Sequence, residues 1–147
     1  MVGNKMYIFG GLNPPTKKGN LQTFYSCHFM LDSPQPPYLY KWDKIRAENP
    51  RARDSHTCVY VNDCLIMFGG CGTGKEASFG DINKFNLRQK IWSKLEALGK
   101  PPPPREAHIA QVIGNDKMMI HGGINLDEES FADTWVLVGI NQDLDRL

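Results

Sequence analysis

The feature that most constrains the fold of this chain is an internal repeat of about 50 residues. Pairs of identical residues lie 52 positions apart: Arg53 and Arg105, His56 and His108, Asp81 and Asp133. Three short apolar runs each end in two glycines: Gly10-Gly11, Gly69-Gly70 and Gly122-Gly123. Several independent matches at one spacing indicate an array of similar supersecondary units.

The segment from Arg53 to Trp92 shows what one unit contains. Residues 56–61 and 65–68 have the composition of strands, and Asn62-Asp63 between them predicts a tight hairpin. A third strand is expected at residues 81–87 and a fourth at 91–95. The apolar run 65–68 does not alternate with polar residues, which predicts a strand buried on both faces. Four antiparallel strands in about 50 residues are typical of a propeller blade.

The chain resembles kelch repeats over nearly its whole length. The resemblance lies in the double glycines, the tryptophan of the fourth strand and the Pro-Arg-x-x-His pattern. The resemblance implies blades arranged side by side around an axis, with Trp42 and Trp92 in the core. We assign structural roles to the residues that recur in this pattern: Gly10, Gly11, Trp42, His56, Gly69, Gly70, Asp81, Trp92, His108, Gly122, Gly123 and Asp133.

The repeat divides residues 1–147 into three parts. Residues 1–50 form a partial blade without its first strand, 51–100 a complete blade, and 101–147 a partial blade without its fourth strand. Propellers usually contain four to eight blades. We therefore expect an all-β segment of a larger kelch-type propeller, with about three blades of antiparallel strands. Further sequence or another chain would supply the remaining blades, and the two outer faces would be apolar.

Composition argues against several classes of protein. Seventeen basic and sixteen acidic residues give a formal net charge of +1, which is not the footprint of a nucleic-acid-binding protein. No apolar run approaches the roughly 18 residues of a membrane helix. Residues 1–5 contain no apolar signal core, and the four cysteines include no Cys-x-x-Cys pair. We expect a protein of the reducing cytoplasm that binds neither nucleic acid nor membrane.

The sequence predicts no catalytic residue, metal or cofactor. The run from Gly69 to Lys75 approaches a phosphate-binding loop, but Glu76 stands where that motif requires Ser or Thr. His56 and His108 occupy equivalent positions in different blades, so they should not converge on a metal. Two interpretations of the repeated arginines remain open. They bridge to carbonyls or carboxylates in the next blade, with Asp81 or Asp133 as candidate partners, or they point into the binding face and hold acidic ligands.

Loops after the second and fourth strands of each blade should emerge at the same end of the propeller. The loops after the second strands are long and differ between units, which is typical of recognition surfaces. Their charges change from basic to acidic along the chain, which predicts a bipolar contact surface. The candidate partner-binding residues are Lys17, Lys18, Arg53, Thr73, Lys75, Glu76, Arg105, Asp127, Glu128 and Glu129.

These features together predict a non-catalytic protein–protein interaction module that binds a protein or peptide partner through loops after strands two and four. Kelch proteins that resemble this chain serve as ubiquitin-ligase substrate receptors, cytoskeletal binders and scaffolds. The alternative is the propeller segment of a metal-dependent kelch enzyme such as an oxidase.

Overall fold

The computed structural model describes residues 2–3, 5–12, 24–28, 41–72 and 78–140. Five candidate binding residues, Lys17, Lys18, Thr73, Lys75 and Glu76, lie outside these ranges. The described elements are strands of five residues each: β1 Lys5–Phe9, β2 Phe24–His28, β3 Lys41–Ile45, β4 Thr57–Val61, β5 Cys64–Phe68, β6 Ile82–Asn86, β7 Ile91–Leu95, β8 Ile109–Ile113, β9 Lys117–His121 and β10 Thr134–Val138. In this part of the chain, no helix is long and apolar enough to cross a membrane.

The strands form three antiparallel sheets, which we call blades 1, 2 and 3. Blade 1 has the order β1-β2-β3, blade 2 the order β4-β5-β6-β7, and blade 3 the order β10-β9-β8. Each blade is a meander in which sequence neighbours pair, so Ile66 in blade 2 lies between Val59 and Lys84. The prediction of an all-β fold made of antiparallel blades is confirmed, and among the described residues blade 2 has all four strands.

Blade 2 lies between the other two blades, and its strand β5 is buried on both faces. Ile66 and Phe68 pack with Met118 of blade 3, whereas Leu65 and Met67 pack with Phe9 of blade 1, because successive side chains of a strand point to opposite faces. The prediction that the apolar run 65–68 forms a strand buried on both faces is therefore confirmed.

The outer faces of blades 1 and 3 expose apolar side chains. On blade 1, Met6 and Ile8 are 37% and 42% exposed. On blade 3, Ile109 and Val138 are 65% and 63% exposed. These residues alternate with those that face blade 2, so each outer face has the apolar character of a packing surface but no neighbouring blade among the described residues.

The two tryptophans of the repeat have different environments. The Trp92 ring packs against Phe9 and Phe85, with ring centroids 5.1 and 5.0 Å away. Trp42 is 51% exposed, so the prediction that it lies in the core is wrong for the described structure. The reason is its register: Trp42 belongs to the same row as Met6, which lies on the outer face of blade 1.

The connections emerge at two ends, which we call the turn end and the loop end. The turn end carries the tight hairpin Asn62-Asp63, whose φ values of 44° and 58° are typical of a type I′ turn. The loop end carries the connections that follow β3, β5, β7 and β9. Those after β5 and β9 begin at double glycines, and those after β3 and β7 contain the repeated arginines Arg53 and Arg105. All candidate binding residues within the described ranges belong to the loop end.

Candidate functional site

A buried arginine organises the loop end of blade 2. Arg53 is 0% exposed and donates from Nη1 and Nη2 to the two carboxylate oxygens of Asp81, at 2.6 and 2.8 Å. Its Nη1 also donates to the Gly69 carbonyl oxygen at 2.9 Å, and its guanidinium lies 4.4 Å from the Phe79 ring centroid. Burial acts to raise the pKa of Asp81, but hydrogen bonds from Arg53 and Asn83 outweigh burial and hold the pKa below its usual value. We call this arrangement the clamp, because the charge of Arg53 holds together three segments of blade 2, at residues 53, 69 and 81.

Blade 3 repeats this arrangement at a spacing of 52 residues. Arg105 is 0% exposed and donates to both oxygens of Asp133, at 2.5 and 3.0 Å, and to the Gly122 carbonyl oxygen at 3.0 Å. Hydrogen bonds from Arg105 and Trp135 hold the pKa of Asp133 well below its usual range. The Arg105 guanidinium lies 4.2 Å from the Phe131 ring centroid, as Arg53 lies over Phe79.

These contacts correct two expectations about Arg53 and Arg105. A side chain with no exposed surface cannot contact a partner, so neither arginine belongs to a binding face. Their carboxylate partners lie in the same blade and not in the next one. The strict repeat of Arg and Asp therefore reflects a structural clamp beneath the loops.

The double glycines connect neighbouring blades. The Gly70 amide donates to the Arg105 carbonyl oxygen at 2.9 Å, and the Gly11 amide donates to the equivalent Arg53 carbonyl oxygen at 3.0 Å. A Cβ atom on Gly69 would lie 2.5 Å from the Arg105 carbonyl oxygen and 2.9 Å from Cε1 of His108. The neighbouring backbone thus occupies the space that a side chain would need, and φ at Gly69 is +69°.

The repeated histidines also lie at blade junctions. The His56 ring packs edge-on against Phe9 of blade 1, and the His108 ring packs edge-on against Phe68 of blade 2. His108 Nε2 lies 2.7 Å from the Thr57 hydroxyl oxygen of blade 2. Burial, together with the nearby arginine in each case, lowers the pKa of both histidines to about 4. They are therefore neutral packing residues near pH 7.

The connection after β9 presents an acidic surface of defined conformation. Asn125 Oδ1 accepts hydrogen bonds from the backbone amides of Asp127 and Glu129, at 3.0 and 2.9 Å. Its Nδ2 donates to the Glu129 carboxylate at 3.1 Å. Asp127, Glu128 and Glu129 are exposed, and Leu126 beside them is 43% exposed. Charged and apolar groups are thus held together on one ordered loop.

The structure also brings together a cluster that the sequence analysis missed. The ligand atoms of Asp54, Cys71 and Glu106 all lie within 4.8 Å of one another at the loop end between blades 2 and 3. One sequence signal could have pointed to it: Asp54 and Glu106 are equivalent residues, each following a clamp arginine. Their proximity across a blade junction becomes visible only once the blades are packed.

Meandering sheets stacked side by side, joined through double glycines and clamped by buried arginines, define a segment of a β-propeller. Comparison with known families narrows this class further. Residues 1–142 match the family described as the KLHDC2/KLHL20/DRC7 Kelch-repeats domain, and the chain belongs to the kelch-repeat family.

Relatives of known sequence agree with this assignment. The chain is 36% identical over 104 residues to the F-box/kelch-repeat protein At1g51550 of Arabidopsis thaliana, covering 67% of this chain and 22% of that protein. It is 30% identical to human Kelch domain-containing protein 3, covering 94% of this chain and 36% of that protein. Human Host cell factor 2 is 33% identical over 84% of this chain and 16% of its own length.

A solved structure titled "Structure of YjhT" has a TM-score of 0.65 and 24% identity, covering 86% of this chain and 33% of that one. This likeness supports the fold. The chain spans about a third or less of the length of each of these proteins.

Proposed function

We propose that this chain is a segment of a kelch propeller that binds a protein or peptide partner through its loop end and catalyses no reaction. The observation that carries the proposal is the ordered acidic loop after β9, where Asn125 holds Asp127 and Glu129 in place beside the exposed Leu126. An exposed loop fixed on a rigid sheet loses little conformational entropy on binding, which favours recognition.

The partner we propose carries basic and apolar side chains where it contacts blade 3. Ile124 and Leu126 are 40% and 43% exposed next to the three carboxylates, so this surface offers both apolar contact and negative charge. Opposite charges steer encounter and set orientation, whereas the apolar contact contributes more of the affinity. We propose that residues in the connections of the other blades also contact the partner: Lys17, Lys18, Thr73, Lys75 and Glu76.

Further blades cover the two apolar outer faces in the complete assembly that we propose. The exposed Ile109 and Val138 on blade 3, and Ile8 and Trp42 on blade 1, support this, because such faces are buried between neighbours in blade 2. The greater length of the relatives also supports it. Within such an assembly the chain acts as an adaptor or scaffold surface, and we propose that it does so in the reducing cytoplasm.

The test compares immobilised proteins in an affinity capture read by quantitative mass spectrometry. A triple variant, Asp127→Asn with Glu128→Gln and Glu129→Gln, removes the acidic charge while it keeps the side-chain shapes. A control variant, Gln89→Lys with Asn115→Lys, raises the net charge by two at exposed positions of the turn end, against three for the triple variant. We expect proteins retained by the unmodified chain and the control to be lost from the triple variant. The same proteins retained by all three forms would contradict the proposal.

A further inference from the structure

Three residues of blade 2 form one row across the loop end. Asp54 pairs with Cys71, and Cys71 pairs with Ser78, both in antiparallel bridges. Asp54 and Cys71 exchange two backbone hydrogen bonds of 3.0 Å, which fixes their relative position. Because directly paired residues of antiparallel segments place their side chains on the same face, the carboxylate, the thiol and the hydroxyl share one side of the blade.

Glu106 reaches the same place from blade 3. Its backbone is fixed by two hydrogen bonds with Ile124, at 2.8 and 3.0 Å. Its carboxylate, the Cys71 sulfur and the Asp54 carboxylate lie within 4.8 Å of one another, and all three residues are partly exposed. The Cys71 thiol donates to Asp54 Oδ1 at 3.2 Å, an atom that also accepts from the Ser55 hydroxyl at 2.9 Å. Burial, followed by the hydrogen bonds with Glu106 and Asp54, raises the pKa of the Cys71 thiol.

Ser78 supplies a separate observation at this place. Its residue is only 7% exposed, and its hydroxyl oxygen is buried without a hydrogen-bond partner among the described residues. A buried hydroxyl that no protein group satisfies carries a desolvation cost and calls for a ligand or a bound molecule. Since Ser78 is paired with Cys71, its hydroxyl lies on the face that carries the cluster.

We propose that Asp54, Cys71 and Glu106 bind a single Zn²⁺ ion, with the Ser78 hydroxyl beside the fourth coordination position. A thiolate favours zinc over the hard cations Mg²⁺ and Ca²⁺, and carboxylate oxygens complete the donor set that zinc accepts. The Cys71 sulfur forms the bond to zinc as its proton leaves to solvent. Two carboxylates and one thiolate then carry three negative charges against the two positive charges of the ion. Because Glu106 comes from blade 3, the ion would join blades 2 and 3.

Blade 3 contains a natural comparison for this site. Glu106 pairs with Ile124, and Ile124 pairs with Ser130, so this row has the same form as that of Asp54, Cys71 and Ser78. The central position holds Ile124 in place of a cysteine, which removes the sulfur ligand. Cys71→Ile therefore installs a side chain that the same position of the next blade already accommodates.

The test uses the full chain with Co²⁺ alone, followed by displacement with Zn²⁺. Cobalt bound to a thiolate gives a charge-transfer absorption band in the near ultraviolet, whereas carboxylate-bound cobalt does not. We expect one equivalent of Co²⁺ to give this band and one equivalent of Zn²⁺ to abolish it. We also expect Cys71→Ile to remove the band, and Asp54→Asn or Glu106→Gln each to weaken binding by about 10-fold or more.

Cys58→Ser serves as the matched control, because Cys58 lies on β4 and is not part of the cluster. This variant is expected to keep the band and the affinity, and circular dichroism of Cys71→Ile is expected to match the unmodified chain. Absence of the band in the unmodified chain would overturn the proposal. So would a band that persists in Cys71→Ile or that disappears in Cys58→Ser.

Discussion

The first glycine of the double-glycine motif allows a direct test of how closely the blades approach. Gly69 and Gly122 occupy equivalent positions in blades 2 and 3, and both have a φ of +69°. A Cβ atom on Gly69 would lie 2.5 Å from the Arg105 carbonyl oxygen of the neighbouring blade. On Gly122, among the described residues, it would meet only the Phe131 carbonyl oxygen, at 3.5 Å. Both positions therefore require a left-handed backbone, but only Gly69 lies too close to the neighbouring blade for a Cβ atom.

Replacement of each glycine by alanine separates these contributions. A left-handed backbone costs an alanine about 1–2 kcal/mol, and both variants should lose this amount. Gly69→Ala should lose about 1–3 kcal/mol more, because overpacking against fixed backbone forces a shift of the next blade. The free energy of unfolding, measured by urea denaturation under identical conditions, gives both losses. Equal destabilisation by Gly69→Ala and Gly122→Ala would refute the close approach of blades 2 and 3 at this glycine.

Three further perturbations test the clamp, the buried histidines and the central strand. Arg53→Ala should reduce the free energy of unfolding by about 3 kcal/mol, because it leaves the partly buried Asp81 carboxylate without its partner. The control Arg88→Ala removes a solvent-exposed ion pair and should change the free energy of unfolding little. Equal losses for the two variants in urea denaturation would contradict the clamp. The pKa of about 4 for His56 and His108 lies below the value of about 6.5 in an unfolded chain, so the unfolded state binds more protons and stability should fall as the pH drops from 6.5 towards 4. The urea midpoint should be lower at pH 5 than at pH 7. If the midpoint of a double variant, His56→Gln with His108→Gln, falls as steeply over the same range, the histidines are not the cause. Ile66→Ala should cost about 2–5 kcal/mol, since this side chain is 0% exposed between two blades; a loss below 1 kcal/mol, by the same assay, would mean that the site is not buried.

Much of the fold could be predicted from the sequence because the repeat carries it. The predicted strands at 65–68 and 91–95 agree closely with β5 and β7, and the Asn62-Asp63 hairpin lies where its turn chemistry placed it. Strand composition and turn residues are local to one blade, and the 52-residue period shows where the next blade repeats them. Both signals can therefore be read from the sequence without knowing how the blades pack.

Features that depend on the neighbours of a blade could not be predicted in the same way. Trp42 and Trp92 are equivalent in the repeat, but Trp92 is covered by Phe9 of blade 1, while Trp42 belongs to an outer face. The complete burial of Arg53 could not be predicted either, because a repeated arginine is compatible with both a structural clamp and a binding surface. The proximity of Cys71 and Glu106 required the packing of two blades that are distant in sequence.

Hydrogen exchange of the backbone amides tests the central claim most directly, namely that blade 2 is enclosed between two neighbouring blades. Strand β5 is paired on both sides by β4 and β6 and is buried on both faces, whereas β7 is an edge strand whose Ile91 is 59% exposed. The amides of residues 64–68 should exchange only through global unfolding and be the slowest among the described residues, with those of residues 91–95 much faster. Exchange at residues 64–68 that is as fast as at residues 91–95 would contradict the stacked arrangement of the blades.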